Sequence, residues 1–375
     1  MLNKSEAIKK FKRFINSIDN KDIIAVLPDT DVDGFSSGVL VYKGLEKIKG
    51  RKPDILQFQH VRNCFTDDSI EYFKKRGVTK IIVTDQAYDQ IPEQIKEVED
   101  FADILIIDHH QFYNDVNSNK TTLIKATMLN KKIDGSQYCA SKMVYDLFSE
   151  IVDMSEFKWI AALGILSDMN TETYLEFIKD VLKKYKIRYR KNLFKTEFGR
   201  AAEILSSANA VSPPKFQQSF EILYTAQNIY DILDSKLAKL WKRVYEEVEY
   251  YVNNYQEFAE EYPEFNLIFI ETKTQFRINS ILINILSNEK FPEKIFVIYS
   301  EPNNHGYIKV SARNQLAGKN KKGIKVNAML EYAVKDLEDA VAGGHMPAAG
   351  ASIKKEDLNI FKKRIIEFVK KKNGI

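Results

Sequence analysis

Cysteine, glycine, proline and long apolar runs are all scarce in this sequence. Its two cysteines, Cys64 and Cys139, are far apart and lack CxxC spacing. They exclude a disulfide scaffold and a cysteine-bound zinc site, and they suit a reducing compartment. The 15 Gly and 9 Pro exclude collagen-like and low-complexity chains, and 44% hydrophobic residues exclude a largely disordered one. No apolar run reaches the roughly 18 residues of a membrane span, and the N-terminal MLNKSEAIKKFKRFINSIDN reads as an amphipathic helix rather than a signal peptide. A cytoplasmic protein without membrane contact is the expectation.

A surplus of one charge is missing too. With 56 basic and 52 acidic residues the formal net charge is +4, too near balance to argue for nucleic-acid binding from the total. The distribution is uneven, however. KKYKIRYRK (183–191) is basic with Tyr185 and Tyr189 interleaved, whereas Tyr245 to Glu264 is acidic and rich in tyrosine. The basic stretch could track a nucleic-acid backbone while its rings stack on bases; a solvated helix face is the competing reading.

What is present is a long chain with a clear rhythm. At 375 residues it exceeds what one hydrophobic core usually organises, so two domains are expected. From Asp22 to about Ile133, short β-branched runs (IIAVLP, ILQFQHV, KIIVTD, DILIIDHH, TLIKATM) alternate with amphipathic stretches. Runs apolar on both faces, joined by helix-length connections, predict a parallel sheet covered on both sides. Helical spacing follows in QYCASKMVYDLFSEIV and FKWIAALGILSD, and residues 170 to about 262 stay helical with no strand-like run. A second α/β region begins near Phe265 and includes the loop AGGHMPAAGASI. The predicted architecture is therefore a larger parallel-sheet domain (1–170), a helical extension and connector (171–262) and a smaller α/β domain (263–375).

Ligands of parallel sheets sit at the carboxyl ends of the strands, and the acidic residues fall there. Asp29, Asp31 and Asp33 follow IIAVLP, Asp85 follows KIIVT, and Asp108, His109 and His110 end DILII. An extended PDTDVDG would send its three carboxylates to one side, with Gly34 turning the chain before Ser36 and Ser37 start a helix. So many like charges demand a cation. Adding Asp85, His109 and Asp168 gives a mixed oxygen and nitrogen donor set that favours Mn²⁺ and tolerates Mg²⁺. Two ions about 3.5 to 4 Å apart, sharing one carboxylate, would activate a water as hydroxide for attack on a phosphoester. Each part has a plainer reading: an Asp after a strand caps a helix, Asp168 merely ends one, and paired histidines sit on a surface. The joint pattern is what argues for a site.

In order along the chain, DTDVDG, the Asp of VTDQ, the triplet DHH and the Asp of GILSD resemble the four motifs of the DHH phosphoesterase superfamily. Farther on, GGHMPAAG (343–350) is similar to the glycine-histidine motif of the DHH-associated C-terminal domain, and SAR (311–313) to the arginine-bearing strand before it. The resemblance implies a two-domain clamp with a cleft between the domains, two Mn²⁺ in the larger domain, and substrate phosphates gripped by the smaller. It implies Asp29, Asp31, Asp85, His109 and Asp168 as metal ligands, with Asp85 bridging. His110 would touch the scissile phosphate, making Asp108 and His110 the candidate catalytic residues. Many small-substrate members carry a histidine four positions before the first motif aspartate, where this chain has Ala25. Asp33, shared with RecJ-like exonucleases, is the candidate to fill that place. In the smaller domain Ser311, Arg313, Gly343, Gly344 and His345 would bind substrate. The physical case for them is independent: glycines let backbone N–H groups approach an anion, and Arg313 offers a planar fork for phosphate. A simple turn and a surface ion pair are the plainer alternative.

The resulting expectation is a metal-dependent phosphodiesterase, foremost an exonuclease on single-stranded DNA or RNA. The alternative is a hydrolase of small phosphoesters such as short oligoribonucleotides, cyclic dinucleotides or 3′-phosphoadenosine 5′-phosphate. A non-enzymatic scaffold ranks last, because the costly acidic cluster is intact. A homodimer and a repair or replication partner are both compatible with the sequence.

Overall fold

The alternating apolar segments fold as a five-stranded, wholly parallel sheet: β1 (Ile24–Pro28), β2 (Ile55–Leu56), β3 (Lys80–Thr84), β4 (Asp103–Asp108) and β5 (Thr121–Lys125), in the order β2-β1-β3-β4-β5. The structure, a computed structural model, describes residues 2–59, 63–319 and 323–374; the side chains of 318, 319, 345 and 373 lie outside it. The expected strand ILQFQHV shrinks to the two residues of β2, and its end at 60–61 lies outside the described residues.

Alternation along the strands sends side chains to opposite faces, and both faces are covered. Ile24, Val26, Ile82, Leu105, Ile107 and Ile124 join one core with helices Lys4–Ser17, Val32–Lys49, Ala140–Ser149 and Lys158–Ser167. Ala25, Leu27, Ile81, Val83, Ile104, Ile106 and Leu123 face the other core, against helices Asp67–Arg76 and Pro92–Glu99. Each aliphatic side chain removed from water there contributes roughly 1.5 to 3 kcal/mol. The N-terminal helix is amphipathic as expected: Asn3 and Glu6 form a capping box, and Ala7, Phe11, Phe14 and Ile15 are buried.

The chain divides into two compact units, Met1–Asn209 with Pro213–Trp241, and Ala210–Ser212 with Lys242–Ile375. The segment 171–262 is therefore not one body. Its helices as far as Trp241 belong to the first unit, where Ile178, Leu182, Phe198, Leu205 and Phe220 enter the main core. It also contains a strand the periodicity did not reveal, β6 (Ala259–Tyr262), an edge strand whose AEEY side chains carry no apolar alternation.

In the second unit a six-stranded mixed sheet runs β10-β11-β9-β8-β7-β6, built from β6, β7 (Leu267–Thr272), β8 (Ile295–Ser300), β9 (Tyr307–Arg313), β10 (Val341–His345) and β11 (Ala348–Lys354). Only β7 and β8 pair in parallel. The segment expected as the loop AGGHMPAAGASI is instead the β10–β11 hairpin, with Met346 and Pro347 at its turn. Its glycine content argues against a strand in isolation, and pairing with β9 overrides that propensity. Ile308, Val310 and Ala312 point into the core with helices Val326–Val334 and Leu358–Asn373, which leaves Ser311 and Arg313 on the opposite face.

Candidate metal centre

β1, β3 and β4 are adjacent and parallel, so their carboxyl ends meet at one edge. Asp29 follows β1, Asp85 follows β3, and Asp108 ends β4 immediately before His109 and His110. Asp168 caps the C-terminus of helix Lys158–Ser167, where Met169 turns out of the helix at a φ of 58°.

The DTDVDG segment is not extended. Asp31 is the N-cap of helix Val32–Lys49, accepting from the Gly34 N–H at 2.9 Å, and Asp33 lies in its first turn. Gly34 is inside the helix rather than at a turn before it, and a Cβ there would lie 2.4 Å from the Asp29 carbonyl oxygen. The glycine thus lets the first motif fold back onto itself. Asp33 accepts from the Ala140 and Ser141 N–H groups at 2.7 and 3.1 Å, at the positive end of helix Ala140–Ser149. Gly164 makes room for it, since a Cβ there would meet Asp33 Oδ1 at 2.4 Å.

The ligand atoms of three groups each lie within 4.8 Å of one another: Asp29 with Asp31 and Asp85; Asp85 with His109 and His110; Asp33 with His109 and Asp168. Such spacing is close to that of two metal–ligand bonds of roughly 2.0 to 2.2 Å set opposite each other. Asp85 belongs to two groups and so does His109, giving overlapping triads from seven side chains.

The donors fit cations better than they fit one another. Asp85 is 2% exposed, and its Oδ1 has no hydrogen-bond partner among the described residues. His109 Nε2 is 3.2 Å away but out of alignment; its Nδ1, 3.7 Å from Asp168 Oδ2, is also buried without a hydrogen bond. Burial, then the charges of Asp33, Asp31 and Asp29, hold the Asp85 carboxyl well above the usual carboxylate range, against the pull of His110. Burial and Asp33 push Asp168 up to about 8, with His109 opposing. Burial raises Asp33 in the same way, partly offset by His109. Burial and crowding therefore oppose ionisation of these carboxyls, and a divalent ion would offset that cost. Asp85 also adopts a φ of 64°, in the left-handed region that Asp tolerates at a cost of roughly 1 kcal/mol or more. Its N–H still bonds the Ile107 carbonyl at 3.0 Å, so sheet pairing holds the unusual turn.

Asp108 is set apart from the triads. It is fully buried, and its oxygens go to His110 Nδ1 at 2.6 Å and Lys125 Nζ at 2.5 Å. Burial acts to raise its pKa, but His110 and Lys125 outweigh that and hold it far below the usual carboxylate range. His110, with a 40% exposed side chain, responds oppositely: burial would lower its pKa, but the bond and charge of Asp108 prevail and raise it.

Several site residues escaped the sequence reading. Lys125 is 1% exposed and reaches Asp89 Oδ1 at 2.8 Å as well as Asp108. Asn170 donates to Asp168 Oδ2 at 2.8 Å, and Asn209 to the Thr30 carbonyl, between Asp29 and Asp31, at 2.8 Å. A lysine closing the apolar strand TTLIK was the one available signal for Lys125; the two asparagines carry none.

In the second unit, cross-strand pairing aligns Gly343, Gly350 and Ser311 in one row across β10, β11 and β9. A Cβ at Gly343 would meet nothing within 4 Å among the described residues, which leaves room there for a ligand. Gly344 has a φ of 136°, which a side chain would strain. Arg313, two residues from Ser311 on the same face, is half-buried, and no carboxylate among the described residues pairs with it. His345 is described through its backbone alone, in register with Ala348.

Residues 23–168 match the DHH family, N-terminal domain, and residues 267–371 match the DHHA1 domain. No curated protein matches the chain in sequence. Among solved structures it is similar to RecJ of Thermus thermophilus in complex with Mn²⁺, at 15% identity and a TM-score of 0.71, over 98% of this chain and 54% of that one. The same RecJ in complex with Mg²⁺ matches at 14% identity and a TM-score of 0.64, over 98% and 52%. An exonuclease RecJ bound to manganese matches at 14% and 0.67, over 98% and 95%. The chain therefore spans about half the length of the Thermus protein and nearly all of the other. These likenesses establish a shared two-domain α/β fold.

Proposed function

Because this chain belongs to the DHH superfamily and carries the associated C-terminal domain, we propose that it is a metal-dependent phosphodiesterase, and within that class an exonuclease that shortens single-stranded DNA or RNA from one end. The observation that carries the proposal is Asp85, a buried carboxylate with an unbonded oxygen shared between two potential ligand groups. Asp29, Asp31, Asp33, His109 and Asp168 complete the proposed metal centre. Manganese is the proposed ion, with magnesium able to substitute: the donor set mixes oxygen and nitrogen, and the similar RecJ structures hold these ions. When bound, two such ions supply an activated water and offset the charge of the phosphoester.

The chain's own residues then have separable tasks. His110, fixed through Nδ1 by Asp108, keeps Nε2 for the phosphoester or its leaving oxygen, where it holds a proton. The glycine floor at 343 and 350 leaves room for a substrate phosphate, which Ser311 and the guanidinium fork of Arg313 beside it would hold. Support for a polyanionic substrate comes from 183–191: none of its six Lys and Arg residues has an ion-pair partner among the described residues, and Tyr189 is 43% exposed beside them. Among the described residues no helix is long and apolar enough to cross a membrane.

The test is incubation with Mn²⁺ and end-labelled single strands of two to about forty nucleotides, alongside 3′-phosphoadenosine 5′-phosphate and a cyclic dinucleotide. Progressive shortening of long strands supports the proposal. Cleavage confined to the shortest substrates moves the assignment to a small-phosphoester hydrolase, and retention without cleavage defeats both. Arg313→Ala is expected to raise KM roughly tenfold or more, the worth of a charge-assisted hydrogen bond, with kcat within about twofold. Steady-state kinetics decide it: a fall in kcat alone would contradict a gripping role.

A further inference from the structure

A buried lysine in an enzyme core needs a reason, and Lys125 has three partners that point to one. Its ammonium donates to Asp108 Oδ2 at 2.5 Å, Asp89 Oδ1 at 2.8 Å and the Gln111 carbonyl at 3.0 Å. All three of its N–H groups are used. Asp89, itself fully buried, accepts from the Tyr113 N–H at 2.7 Å through its other oxygen, and its carbonyl accepts from Asn114 Nδ2 at 2.8 Å. Lys125 is the direct cross-strand partner of Asp108. The network thus ties β5, the end of β4, the turn after β3 and the loop 109–114 into one polar core.

We propose that Lys125, anchored by Asp89, is a positioning residue that holds Asp108 in one orientation and thereby sets the ring of His110 against the substrate. The inference rests on the phosphodiesterase reading in which His110 meets the phosphate. Three buried charges cost several kcal/mol each in desolvation, and apolar residues of the same volume would stabilise the fold as well. What the charges supply is direction. With Oδ2 engaged by the ammonium, Asp108 has only Oδ1 left for His110, which receives both the ring Nδ1 contact at 2.6 Å and the backbone N–H at 3.2 Å. A carboxylate freed from Lys125 can rotate, and the half-exposed His110 ring then loses its single setting. The His109 and His110 rings stand edge to face with centroids 4.8 Å apart, so such a rotation is felt beside the metal ligands.

The test compares wild type with Lys125→Met and Asp89→Asn, measuring kcat, KM, Mn²⁺ affinity and the ¹⁵N-edited spectrum of the His110 ring. For Lys125→Met, kcat is expected to fall about 10- to 100-fold, as for other residues that orient a site from behind. KM and Mn²⁺ affinity should stay within about twofold of wild type, and the protected Nδ1–H signal of His110 should disappear. Asp89→Asn, which leaves Lys125 with Asp108, should lower kcat about three- to tenfold and weaken the same signal; it decides the matter if the lysine variant does not fold. Wild-type kcat with an altered spectrum, or a loss of metal affinity that accounts for the lost activity, would overturn the assignment. Should the wild-type protein cleave no phosphodiester, the functional reading falls, while the His110 signal still decides whether Lys125 orients that ring.

Discussion

Asp85→Asn is expected to abolish measurable phosphodiesterase activity, a loss of at least about 10³-fold, and at the same time to raise the melting temperature of the metal-free protein. Both effects have one source. The carboxyl of Asp85 is buried against Asp33, Asp31 and Asp29 with an oxygen that has no hydrogen-bond partner among the described residues. A cation turns that crowding into affinity; without one it is a cost. The neutral amide keeps the shape, removes the repulsion and would be a weaker ligand for a cation. The linkage sign follows from the direction of the shifts. Asp85 and Asp168 have folded pKa values above the unfolded value of 3.8, about 8 for Asp168. Their contribution is fully present below about pH 4 and is lost as pH rises through the folded values. The metal-free protein should therefore melt at least about 5 °C lower at pH 9 than at pH 6. Asp85→Asn should flatten that dependence, and saturating Mg²⁺ should reverse it for the wild type. Calorimetry across this range checks the prediction: a wild-type melting temperature independent of pH, or a destabilised metal-free variant, would remove the argument for a cation site.

His110→Ala should lower kcat by roughly 10² to 10⁴, the usual contribution of a positioned proton donor, and leave metal stoichiometry at the wild-type value. His109→Ala should instead lose bound metal, because both ring nitrogens face carboxylates of the cluster. The contrast between adjacent histidines is the sharp part. His110 belongs to one ligand group and is tied from behind by Asp108, whereas His109 is shared between two. Metal analysis of the two purified variants beside single-turnover rates separates the roles; equal metal loss in both would make His110 another ligand.

Much of this centre was accessible from sequence because parallel sheets gather their strand ends at one edge. Once IIAVLP, KIIVT and DILII read as strands of one such sheet, Asp29, Asp85 and the DHH triplet had to be neighbours. What escaped were features decided by tertiary pairing. Asp31 lacks a downstream Glu to complete a capping box, so the helix start at Val32 gave way to an extended reading. Asp89 and Lys125 are linked only because β5 lies beside β4, which no spacing encodes. GGHMPAAG has loop composition, and only the register with β9 makes a hairpin of it. The strand β6 is an edge whose side chains are indifferent to burial.

All six side chains of the proposed metal centre, His110, and the hydrophobic cluster from Ala7 to Leu237 fall within one of the two compact units. The glycine floor and Arg313 fall in the other. On the proposed reading, reactivity and substrate choice are written on separate stretches of the polypeptide, so selection can retune what is cut without reopening how it is cut. Swapping the 242–375 segment between relatives is the corresponding engineering route.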